Sequence, residues 1–200
     1  MTLITGPMRA ELVSAYTAPG RYYHDLRHIE TLVGLADARA DVIADRDAVE
    51  AAIWFHDAIY DTRRNDNEER SAALAAARLA DATGEDRIAR IVAMIRATAG
   101  HALPGFADAA AKRDCALFLD MDLAILGSPQ ADFDAYEVAV RREYDWVTEP
   151  QWKRGRRAVL AGFLARPAIY ATARFQASHE TAARRNLARA MARLDGAGPH

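Results

Sequence analysis

The sequence predicts an all-α fold arranged as a single helical domain. Apolar residues recur three and four positions apart along most of the chain, no segment holds the two-residue alternation of a strand, and capping or breaking residues separate the periodic stretches. Ile29, Leu32, Val33 and Ala36 share one helical face. Asp47 with Glu50 has the form of a capping box, after which Val49, Ala52, Ile53 and His56 fall on one stripe, so His56 is expected to point inward. Asp66 with Glu69 opens an alanine-rich helix running from Ser71 through Ala80, whose small side chains permit close packing; Gly84 is expected to stop it. Ile88, Ile91, Val92 and Ile95 form the cleanest stripe, which reaches Thr98 before the loop signals Gly100 and Pro104-Gly105.

The second half continues in the same style. A segment from about Leu117 to Leu126 is followed by the breaker Gly127-Ser128-Pro129, and then Phe133, Tyr136, Val140 and Tyr144 share a face. A helix from about Pro150 should turn Trp152, Val159, Leu160, Phe163 and Leu164 toward the core and end before Pro167. The last helix is expected over Ser178 to Leu194, with Ala183, Leu187, Ala190, Met191 and Leu194 as its apolar side.

With 200 residues, 51% of them hydrophobic and 27% charged, the chain can build a substantial core, read here as one domain over 1–194 with 195–200 as a flexible tail. The formal net charge of -2 argues against general affinity for nucleic acid or an anionic membrane. No stretch approaches the roughly 20 apolar residues of a membrane span, and nothing near the N-terminus joins a basic segment to an apolar run, so a soluble, cytoplasmic protein is expected. Cys115, the single cysteine, sits in an apolar segment and reads as a small buried residue.

The chemistry-bearing pattern is His24 and His28, in Tyr23-His24-Asp25-Leu26-Arg27-His28-Ile29, together with the doublet His56-Asp57. Residues four apart on a helix share a face, so His24 and His28 could address one point, and a metal ion is expected there. A carboxylate buried beside an imidazole is costly without a cation, which a divalent ion would supply. A remote acid would complete such a site, and Phe118-Leu119-Asp120-Met121-Asp122-Leu123-Ala124-Ile125-Leu126 offers two. Asp122 shares a face with Phe118, Leu119, Ile125 and Leu126, and Asp120 with Ala116, Leu117, Leu123 and Ala124, so periodicity does not choose between them.

These residues resemble the HD-domain superfamily of metal-dependent phosphohydrolases, in which a histidine, a later His-Asp doublet and a distant aspartate stand on helices around one or two metal ions. The resemblance implies His28, His56, Asp57 and Asp122 as ligands. Asp122 is preferred over Asp120 because the family's distal aspartate precedes a segment like Leu123-Ala124-Ile125-Leu126. The first histidine segment is also similar to the Tyr-His-Asn-x-x-His motif of cyclic-nucleotide phosphodiesterases, with Asp25 in place of asparagine. That similarity implies His24 as the proton donor to the leaving group. The closer of the two resemblances is to a group of bacterial HD proteins described as predicted metal-dependent phosphohydrolases. The blocks that carry this are Arg21-Tyr22-Tyr23-His24, Trp54-Phe55-His56-Asp57-Ala58-Ile59-Tyr60-Asp61, Asp66-Asn67-Glu68-Glu69-Arg70-Ser71-Ala72 and Leu119 through Gly127, with shorter ones at Val140-Arg141-Arg142-Glu143-Tyr144 and Gly155-Arg156.

The activity so implied is hydrolysis of a small phosphorylated compound, a nucleotide among the candidates, by water activated on a divalent ion. Manganese, iron, cobalt, nickel, zinc and magnesium all suit a mixed nitrogen and oxygen ligand set. Glu68 is a candidate for orienting that water or steadying a histidine, the alternative being a solvated glutamate at a helix start. Thr98 and His101 could rim the pocket, or be a capping threonine and a loop histidine. Arg141 and Arg156 are candidates for bidentate phosphate contacts, against the alternative of solvent-facing arginines. Two other readings stay open. A non-catalytic, metal-stabilised nucleotide sensor would have no use for His24, and a di-iron oxygenase would need extra ligands, of which only His101 is an obvious candidate.

Overall fold

A computed structural model describes residues 2–196. Among these residues the chain is all-α, with nine α-helices, one short 3-10 helix and no strand. No helix among them is long and apolar enough to cross a membrane. The chain divides into two compact units, Met1–Met121 and Asp122–His200. The division falls at the last residue of a continuous helix, where no shift of composition marks it.

The first unit opens with α1 (Gly6–Tyr16), an element the apolar periodicity did not announce. Its signal is local: Thr5 caps the helix by accepting from the Met8 N–H at 3.4 Å, and Pro7 occupies the first turn. Leu12 and Tyr16 are buried, and the Tyr16 hydroxyl donates to the Trp54 carbonyl at 3.0 Å. In α2 (Leu26–Asp37), His28, Ile29, Leu32 and Ala36 form the buried face. In α3 (Arg46–Phe55), every residue from Val49 to Phe55 except Glu50 is buried, so this helix is the hub against which α2, α4 and α5 pack.

The N-cap of α3 is Asp45, whose carboxylate accepts from the Ala48 N–H at 3.1 Å, and not Asp47 of the expected Asp47–Glu50 box. Glu50 instead pairs with Arg9 at 3.2 Å. The reason lies on α6 (Ala109–Asp122), where the buried carboxylate of Asp114 accepts from the Ala44 and Asp45 N–H groups at 2.9 and 2.8 Å and sets where the chain turns into α3. The alanine-rich α4 (Asn67–Leu79) packs on α5 (Glu85–Ala97) through Ser71, Ala72, Ala75 and Leu79. Gly84 does not stop α4, which ends five residues earlier; it is the N-cap of α5.

In the second unit the 3-10 helix Leu123–Gly127 leads into α7 (Gln130–Glu143), α8 (Glu149–Leu164) and α9 (Ala173–Leu194). Leu160 and Arg156 are the buried residues of α8, and Val159, expected inside, is 47% exposed. Helix α9 begins before the expected Ser178 because Thr172 caps it through the Phe175 N–H, which buries Phe175. A Cβ on Gly127 would stand 2.6 Å from the His179 Cβ and 2.9 Å from its carbonyl oxygen, so only glycine lets the 3-10 helix approach α9 this closely. Asn186 of α9 fastens that contact by donating to the Leu126 and Ser128 carbonyls, both at 2.9 Å. Asp195 caps α9 and pairs with Arg157, so it is tied down rather than frayed; the rest of the expected tail, 197–200, lies outside the described residues.

Candidate metal centre

Three side chains from different helices meet at one point. His28 projects from the first turn of α2, His56 is the C-cap of α3, and Asp122 is the last residue of α6. One ligand atom from each lies within 4.8 Å of the other two. His28 and His56 are buried, and Asp122 is half-buried.

The hydrogen bonding of His56 favours a cation at that point. Its Nδ1 lies 2.9 Å from the Ile53 carbonyl oxygen, which can only accept, so Nδ1 carries the hydrogen. Nε2 then faces the His28 Nε2 at 3.4 Å and an Asp57 carboxylate oxygen at 3.1 Å. A bare imidazole lone pair so close to a carboxylate is repulsive unless a proton or a cation answers both. Two imidazole nitrogens each about 2.1 Å from a tetrahedral ion would stand about 3.4 Å apart, the separation found here. The spacing of the two imidazoles therefore suits a shared divalent ion, with the Asp122 carboxylate within 4.8 Å of both.

Asp57 lies beside His56 but outside the tightest group, which among the described residues is His28, His56 and Asp122. Of the two aspartates that periodicity left open, Asp122 is in this group; Asp120 is only 1% exposed and is not. The ring of Phe118 meets His56 edge to face at 5.7 Å and walls the histidine on the α6 side.

His24 reaches the centre by a route different from the expected one. It is not on α2 one turn before His28, because Asp25 ends the helix there: in extended backbone, its side chain accepts from the Arg27 and His28 N–H groups. His24 belongs to the preceding loop, with its ring 6.2 Å from that of His28 and stacked on Tyr60 at 4.5 Å. Tyr23 touches both histidines, at 5.0 Å each.

Several residues that hold this arrangement stand in the sequence blocks of the resemblance but are assigned no role there. Arg21 donates to the carbonyls of His24 and Asp57, both at 2.8 Å, and of Ala58 at 3.0 Å. Ser71 accepts from the Ile59 N–H at 3.0 Å and returns its hydroxyl to the Ile59 carbonyl, while Asn67 exchanges both of its amide bonds with Asp61. Together they fasten the loop that follows His56. Ser71 could have been noticed as a polar residue on the buried stripe of an alanine helix; nothing in the spacing announces Arg21.

The supporting candidates are placed as follows. Glu68 is half-buried in the first turn of α4. Thr98 is buried at the end of α5 and returns its hydroxyl to the Ile95 carbonyl at 2.7 Å, a capping role. His101 is in a loop with left-handed backbone, φ 46°. Arg141 does not present a free fork: it donates to the Tyr144 and Val147 carbonyls at 2.6 and 3.2 Å and lies over Trp152. Arg156 is buried and paired with Glu137 and with the Tyr136 hydroxyl, which accepts at 2.9 Å. Burial opposes the charge of Arg156, but Tyr136 and Glu137 outweigh it and raise its pKa above the ordinary value. Arg156 is thus buried and Arg141 half-buried. Burial at Cys115, aided by Asp114, pushes the thiol up to about 12, as suits a core residue and not a ligand.

No family model, curated protein or solved structure matches the chain.

Proposed function

We propose that this chain is a metal-dependent phosphohydrolase of the HD type, acting on a small phosphorylated compound, with nucleotides the first class to test. The observation that carries the reading is the convergence of His28, His56 and Asp122 within 4.8 Å, with the Asp57 carboxylate beside His56. A divalent ion held there would lower the pKa of water and draw in the oxygens of a phosphate. Which ion is resident, and whether one or two, belongs to the same proposal, with Asp57 the carboxylate available to a second.

The chain's own residues do the rest. His56 is locked by the Nδ1 contact to Ile53, so its ring needs no reordering on binding. His24, stacked on Tyr60 and with its ring 6.2 Å from that of His28, stands beside the centre, where an imidazole would serve proton transfer to a departing alkoxide. Phe118 and the buried residues of α3 cover His56, which is only 1% exposed.

The test is a panel of phosphomonoesters and phosphodiesters, nucleotides included, with protein loaded with manganese, cobalt, nickel or zinc under anaerobic conditions. Release of phosphate or cleavage of an ester is expected from at least one compound, abolished by a chelator and restored by added metal. Metal-dependent nucleotide binding with no turnover across the panel would replace the hydrolase by a sensor; oxygen consumption with iron would replace it by an oxygenase.

A further inference from the structure

We propose that Arg21 is a positioning residue for this centre, fastening the loop that carries His24 to the turn that carries His56 and Asp57. The inference rests on reading His28, His56 and Asp122 as a metal site. One guanidinium spans both segments: Nη1 donates to the His24 and Asp57 carbonyls and Nη2 to the Ala58 carbonyl, across sequence separations of 36 and 37 residues for the latter two. The cation is also bracketed by rings, 4.9 Å from Tyr16 and 5.2 Å from Tyr60. Tyr60 stacks on His24, and the Tyr16 hydroxyl is bonded to the Trp54 carbonyl two residues before His56. The column Tyr16, Arg21, Tyr60, His24 therefore has its lower end fixed to α3 and its upper end at the proposed proton donor.

The chemistry requires arginine. Three carbonyls in two chain segments are satisfied by a planar fork with fixed donor directions, whereas an ammonium is a point charge that cannot hold the segments at a set separation. The effect on the centre follows because His24 and Asp57 offer their main chain to Arg21 and their side chains to the site. A shift of either carbonyl moves the ring or the carboxylate.

An internal control exists. Arg184 likewise donates to three carbonyls, those of Leu164, Arg166 and Pro167, beside its ion pair with Glu180, at the end of α8 and the loop after it, which carry none of the ligands. The experiment compares Arg21→Lys and Arg184→Lys for cobalt affinity and for the visible spectrum of the cobalt-loaded protein. It also compares the ring NMR shifts of His24 and His56 in the metal-free protein. Arg21→Lys is expected to weaken cobalt binding about 10–100-fold, to alter the spectrum and to move both rings, and Arg184→Lys to leave all three unchanged.

Wild-type affinity and unmoved rings in Arg21→Lys would overturn the proposal, as would equal weakening by Arg184→Lys. If Arg21→Lys does not fold, Arg21→Gln is measured in its place. Failure of both to fold also overturns the proposal, since Arg21 would then support the whole fold and not the centre. If the wild-type protein binds no cobalt, the metal reading fails, and the metal-free ring shifts alone decide the clamp.

Discussion

His28 and His56 stand 28 residues apart in sequence and present Nε2 to Nε2 at 3.4 Å. The pairing is made by helix packing: α2 lies on α3, and each histidine occupies the end of its helix nearest the other. Two buried imidazoles and a nearby carboxylate are a costly arrangement for a core, and a cation is the compensation with the right chemistry.

Asp122→Ala and His28→Ala are each expected to reduce bound metal sharply, and Asp57→Ala to weaken it about 10–100-fold by removing the carboxylate beside His56. Asp120→Ala should retain wild-type metal content. Metal analysis of the purified variants checks this, and a greater loss in Asp120→Ala than in Asp122→Ala would move the ligand role. Thermal unfolding gives an independent reading, because free metal at 100 times its Kd should stabilise the native protein by about 2.7 kcal/mol.

His24→Gln is expected to keep its metal and to lose about 10²–10⁴-fold in turnover of esters with poor leaving groups. A nitrophenyl phosphate needs little protonation as it departs, so its hydrolysis should suffer much less. Equal losses on the two substrates would remove the proton-donor role, and lost metal would make the residue a ligand. Its place in the loop before α2, stacked on Tyr60, motivates the distinction.

Asp45 should contribute to acid sensitivity. Burial pushes its carboxyl up, but the Arg87 guanidinium, the Ala48 N–H and Arg90 outweigh that and hold it below its ordinary value. A depressed folded-state pKa means stability that is fully present above the unfolded value of about 4 and is lost as pH falls through the folded value. Asp45→Asn should therefore flatten the acid limb of a stability-against-pH curve. Asp45→Ala should cost about 1–2 kcal/mol at neutral pH through the lost cap. An unchanged acid limb in Asp45→Asn, measured by denaturant unfolding, would remove Asp45 from the account.

The helices were legible where a stripe faces one neighbour. Ile91, Ile95 and Thr98 of α5 are buried as their spacing requires, and so are Val49, Ala52, Ile53 and His56 at α3. Elements whose burial is sparse left weaker patterns: α1 buries only Leu12 and Tyr16, and its evidence is a threonine cap and a proline. Arginine was the residue type least open to sequence reading. Arg21, Arg141 and Arg184 all spend their guanidinium donors on loop carbonyls, and a fork that binds carbonyls is written with the same letter as one that binds phosphate.

The sequence by itself determined the all-α class, because that depends on local periodicity, and it singled out histidines and aspartates whose side chains could hold a metal ion, because that depends on side-chain type. The resemblance favoured Asp122 where periodicity left Asp120 and Asp122 open, and only the tertiary structure puts Asp122 in one group with His28 and His56. Successive residues on α6 differ by a rotation of about 100° per residue, and which direction faces His28 and His56 is set by packing. It also decided how His24 arrives. Asp25 satisfies the open N–H groups at the start of α2 with its own carboxylate, so the helix begins after His24, and the loop held by Arg21 and Tyr60 brings its ring beside His28.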